Sequence, residues 1–68
     1  MGEVTEYARD MVTMIDDRAI ANDVIAVNIL SLLIHNKFPM IPQEERRELA
    51  KRIVAEDRER RKAAQRPK

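Results

Sequence analysis

VIAVNILSLLI, residues Val24–Ile34, is apolar at every position except Asn28 and Ser31. A run this apolar cannot lie on a surface as a helix without exposing most of its circumference to water. It is also too short for a bilayer span, which takes about 20 apolar residues, and Asp23 on one side and His35–Asn36–Lys37 on the other prevent its extension. The β-branched Val24, Ile25, Val27 and Ile29 suit a strand. However, no Gly or Pro occurs from Glu3 to Phe38 to turn a sheet back on itself. The run therefore reads as a buried helix.

On a helical projection Ile25, Ile29, Leu32 and Leu33 form one apolar stripe, and Ile20, Val27, Leu30 and Ile34 form a second, roughly opposite. Asn28, Ser31 and His35 separate them. A helix with two apolar faces needs two neighbours, supplied by the rest of the chain or by another copy.

Upstream, Val4, Tyr7, Ala8, Met11, Met14 and Ile15 recur at the i, i+3, i+4 spacing of an amphipathic helix. Between the two patterns lies Asp16–Asp23, DDRAIAND, where half of the residues are Asp or Asn. These side chains bond their own backbone and favour caps and turns over helix interiors, so a kink or tight turn is expected, with Asp16, Asp17 or Asn22 capping the second helix; the alternative is one helix of about 34 residues, because the first apolar stripe keeps its phase from Val4 to Leu33. Downstream, Pro39 ends the apolar helix and Pro42 starts another. Phe38, Met40 and Ile41 in this connector are expected to plug the end of the core. The last helix reads from Pro42 to about Gln65, with an apolar face of only Leu49, Ala50, Ile53 and Val54. Opposite charges at Glu48–Arg52, Arg52–Glu56, Glu56–Arg60 and Asp57–Arg61 stand at the favourable i, i+4 spacing.

The expected fold is an all-α, small helical bundle of two to three helices, at approximately 3–16, 18–36 and 42–64, completed by homodimerisation. Residues 1–57 form its core domain and residues 58–68 a basic projecting helix end and tail. A chain of 68 residues is near the lower limit for a self-sufficient core. It has no cysteine for a disulfide and no tryptophan, and small scaffolds without staples commonly gain stability by oligomerising. Met11, Ile15, Ile25, Ile29, Leu32 and Leu33 are the expected self-association residues.

The chemistry-bearing residues are few. His35 is the lone histidine, and Ser31 one turn before it gives the one pair resembling a nucleophile and base, with no carboxylate placed to orient it. Asp16–Asp17 and Glu44–Glu45 are sequence neighbours, which point about 100° apart on a helix and cannot work as a facing acid pair. Gly2 is the single glycine, so no glycine-rich phosphate loop exists. Neither catalytic residues nor a cofactor or metal are expected, and the chain reads as no enzyme.

Net charge is +1, but residues 1–41 carry three basic groups against six acidic ones, and residues 42–68 carry ten against six. The segment Arg58–Lys68, RERRKAAQRPK, has six cations and one acid. Arg58, Arg60, Arg61 and Lys62, with Arg47 and Lys51 extending the patch, are the candidates for an acidic partner or for phosphates, though no aromatic interleaves them for base stacking. The acidic start MGEVTEYARD lacks the basic region of a secretory signal, which leaves a cytoplasmic expectation. The function expected is that of a small regulatory protein, engaged in protein–protein interaction: it self-associates and binds another macromolecule. Nucleic-acid binding through the basic end is the alternative, and no membrane partner is expected.

Overall fold

Asp and Asn side chains divide the N-terminal half of the chain. In the computed structural model, which describes residues 2–65, the regular structure is helical throughout. Its elements are α1 (Gly2–Val12), α2 (Asp17–Ala21), α3 (Asp23–Lys37) and α4 (Gln43–Gln65). Four helices replace the two or three expected, because DDRAIAND breaks the chain twice. Asp16 is extended and its carboxylate accepts from the Arg18 N–H at 3.1 Å, starting α2. Asn22, also extended, ends α2 through its own N–H to the Ala19 carbonyl and starts α3 by accepting from the Ile25 N–H. One Asn thus serves two helix ends, the N-cap role being the one its short amide favours.

The first helix also ends at Val12, three residues before the last position of its apolar pattern. Thr13 folds its hydroxyl onto the Asp10 carbonyl at 2.7 Å, and the Met14 and Ile15 N–H groups close single turns onto Met11 and Val12. Ile15 still reaches the core, from a turn rather than from a helix.

Cross-chain bonds fix the directions of the helices. Arg46, early in α4, reaches Ser31 and His35 late in α3, whereas Arg58 reaches Ile20 and Asp23. So α4 runs antiparallel to α3, as the short connector requires. Arg9 meets Glu56, and Arg61 meets Val12 and Ile15, so α1 runs parallel to α4. The three longer helices pack around one core of Ala8, Val12, Ile15, Ile20, Ala26, Val27, Leu30, Ile34, Leu49, Ala50, Ile53 and Val54.

Of the second apolar stripe read from the sequence, Val27, Leu30 and Ile34 form the core face of α3, and Ile20 joins the same core from α2. In the connector Phe38 stacks edge-on against Tyr7, with centroids 5.7 Å apart, and Ile41 packs on the core. Met40 corrects the expectation of a plug, since it points into solvent. Of the four i, i+4 pairs anticipated in α4, Asp57–Arg61 forms; Glu56 instead faces Arg9. None of the helices among the described residues is long and apolar enough to cross a membrane.

Candidate interaction surface

The first apolar stripe of α3 is left without a neighbour. Leu32 is 60% exposed, Ile25 45% and Ile29 37%, and Val24, which the stripe had not included, is 67% exposed. Single exposed aliphatic residues are ordinary. Here Ile25, Ile29 and Leu32 share one stripe of a 15-residue helix, with Val24 about 80° or more round from them at its first turn, a grouping of the kind that marks contact sites. None of the other described helices covers it, because α1 and α4 both pack on the inner side. Of the six residues expected to mediate self-association, Ile25, Ile29 and Leu32 lie on this face and Leu33 is half-buried at its border. Met11 and Ile15 do not join them. Met11 is half-buried against the core and Ile15 is buried in it, because α1 folds over the inner side of the bundle.

The basic residues are engaged within the fold. A helix leaves its last four carbonyls without intrahelical partners, and a glycine in the left-handed conformation commonly satisfies them. Here no residue described has positive φ, and no glycine follows Gly2. Arginines of α4 supply the missing donors. Arg61 Nη2 donates to the carbonyls of Val12 (3.0 Å) and Ile15 (2.9 Å), closing the end of α1. Its Nη1 bonds Asp17 at 2.6 Å and its Nε bonds the buried Asp57. One turn earlier, Arg58 Nη2 donates to the Ile20 carbonyl in α2 at 2.7 Å, and its Nη1 lies 3.3 Å from Asp23. At the other end Arg46 Nη1 donates to the Ile41 carbonyl beyond α3.

Arg58 and Arg61 thus lie against the core rather than on a projecting arm. Each remaining candidate cation also has a local partner. Arg60 bonds Asp57 at 2.8 Å, Lys51 lies 4.0 Å from Glu48, Lys62 lies 3.8 Å from Glu59, and Arg47 reaches the Asn28 amide at 3.5 Å. The tail part of the expected basic segment, residues 66–68, lies outside the described residues.

Arg46 was not singled out from the sequence, yet it organises the edge where α3 meets α4. Its Nε donates to the Ser31 hydroxyl at 3.1 Å, and its Nη1 lies 3.2 Å from His35 Nδ1. A guanidinium only donates, so that ring nitrogen accepts. Ser31 and His35, the pair resembling a nucleophile and base, are both held by Arg46, and neither bonds the other. With Asn28 and Leu32 they line a shallow cleft of about 210 Å³ beside the exposed stripe. All of Arg46's partners are neutral, and among the described residues no carboxylate lies within 4.0 Å of it. The described residues contain no group of three or more His, Asp or Glu able to hold a metal ion. No family model matches the chain, and neither curated proteins nor solved structures give a significant match.

Proposed function

We propose that this chain is a small, non-enzymatic, helical interaction protein that self-associates as a homodimer through the outer face of α3 and in that form binds another macromolecule. The observation that carries the reading is the exposed grouping of Val24, Ile25, Ile29 and Leu32 on a helix whose opposite face already forms the core. Fully burying one aliphatic side chain is worth about 1.5–3 kcal/mol, so these half-exposed ones contribute on the order of 1 kcal/mol each. Eight of them in a dimer are of the same size as the roughly 4–15 kcal/mol lost in association. The stripe therefore supports a reversible dimer rather than an obligate one.

Nuclear magnetic resonance amide spectra over a dilution series test this. Concentration-dependent shifts confined to α3 from Val24 to Asn36 are the expected result. Spectra that do not change up to millimolar concentration would remove the reading.

Nucleic-acid binding is the weaker alternative, because Arg58 and Arg61 already bond helix ends and acids. Truncation after Asp57 is not a clean test of it, since it removes Arg61 from the end of α1. The paired substitution Arg60→Gln with Lys62→Gln is the better test. Under the proposal neither the wild type nor the variant binds DNA tightly at physiological salt, and tight wild-type binding that the variant loses would favour the alternative.

A further inference from the structure

We infer that the cleft between α3 and the start of α4, lined by Asn28, Ser31, Leu32, His35 and Arg46, is a binding site for one small oxyanion, a phosphate or carboxylate group. The inference does not depend on self-association or on the apolar stripe.

The charge of Arg46 is the first reason. Three arginines of α4 donate to backbone carbonyls near helix ends, and two of them also have a carboxylate. Arg58 lies 3.3 Å from Asp23, and Arg61 bonds both Asp17 and Asp57. Arg46 is set instead among neutral groups, the Ser31 hydroxyl, the His35 ring and the Ile41 carbonyl. It is half-buried, so its charge loses part of its hydration with no anion in the described chain to offset the loss. Glu45, the acid next to it in sequence, stands on the α1 side of α4, beside Val4, Leu49 and Arg52.

The polarity of the hydrogen bonds is the second reason. Arginine only donates, so each side chain it holds uses an acceptor and keeps its protons. Arg46 Nε takes a lone pair of Ser31 Oγ, whose own proton has no acceptor among the described residues. Arg46 Nη1 takes His35 Nδ1, which leaves the ring proton on Nε2. Arg47 Nη1 lies 3.5 Å from Asn28 Oδ1, and the amide NH2 has no acceptor of its own. Arg46 Nη2 makes no hydrogen bond within the described chain and is open to solvent.

The cleft therefore offers donors from four side chains. Each nitrogen of a planar guanidinium neighbours the other two, so an acceptor on Nη2 sits beside the Ser31 hydroxyl or beside the His35 ring. An ionised oxyanion only accepts, and its bonds to a guanidinium are among the strong ones. The cleft has about 210 Å³, several times the roughly 30 Å³ that one water occupies in the liquid, which is room for one such group.

Inorganic phosphate and acetate are the probes, titrated in parallel at pH 7.5 with chloride adjusted to hold the ionic strength constant. Nitrogen-15 nuclear magnetic resonance reads the Arg46 Nε–H and the signals of Asn28, Ser31 and His35. The expected result is saturable shifts at these residues at roughly millimolar anion, and a loss of affinity of at least about tenfold in Arg46→Gln. Saturation by phosphate alone assigns the site to phosphate groups, by acetate alone to carboxylates, and by both to either. Should Arg46→Gln prove unfolded by circular dichroism, Ser31→Ala decides instead, since it keeps the arginine and should weaken binding at least about threefold. Shifts that never saturate, or that saturate at the far end of α4 around Arg60 and Lys62, overturn the site. So does a folded Arg46→Gln, or in its place Ser31→Ala, that binds as the wild type does.

Discussion

The two faces of α3 have nearly the same composition and opposite fates. Val27, Leu30 and Ile34 are sealed into the core, whereas Ile25, Ile29 and Leu32, one-third to one-half turn away, meet water. Apolarity therefore does not decide which face is buried. Position relative to α1 and α4 does. The connector at Phe38–Pro42 and the Asx break at Asp16–Asn22 swing both neighbours onto the same side of α3. None of the other described helices covers the other side. The inner face holds the fold, and the outer face meets solvent.

Substitutions that treat the two faces differently sharpen the contrast. The largest effect is expected at Leu30→Ala, which opens a cavity in a fully buried site and should cost about 3–5 kcal/mol in urea unfolding, enough to leave such a small domain largely unfolded. Next is Arg61→Met, which leaves Asp57 with Arg60 as its one ion partner and strips donors from Val12 and Ile15. Breaking a buried pair in this way costs roughly 3 kcal/mol, and amide exchange should show the end of α1 opening first. Asn22→Ala removes the side chain that starts α3 and should cost about 1 kcal/mol, read as a modest drop in melting temperature. The smallest effect on the monomer is expected at Leu32→Glu, within about 0.5 kcal/mol. A loss there as large as at Leu30 would erase the distinction between the faces.

The sequence made some of this arrangement legible. Both stripes of α3 were visible, because helical periodicity places residues on faces whatever packs against them. The break is legible only in part: Asp16 and Asn22 act through bonds to backbone two or three residues away, but an apolar stripe that keeps its phase from Val4 to Leu33 fits one long helix as well. Which stripe would be covered was not visible, because it depends on where α1 and α4 settle. For that reason periodicity alone puts Met11 and Ile15 at the contact surface, whereas both belong to the core side.

The arginines were the larger omission. Arg61 bonds carbonyls 46 and 49 positions earlier in the chain, a distance no local pattern encodes, and clustered cations near a helix end read naturally as an anion site. A signal was present, however. Helices that end without glycine must find donors elsewhere, and the basic residues of α4 were the nearest supply.

The central claim is that the outer face of α3 binds a second copy while the inner face holds the fold. Sedimentation equilibrium of the wild-type chain and of Leu32→Glu, side by side at tens to hundreds of micromolar, tests it most directly. The account predicts that the wild type shifts from monomer toward dimer across that range and that the variant remains a folded monomer throughout. Equal association of the two, or a wild type that stays monomeric at every concentration, would contradict it.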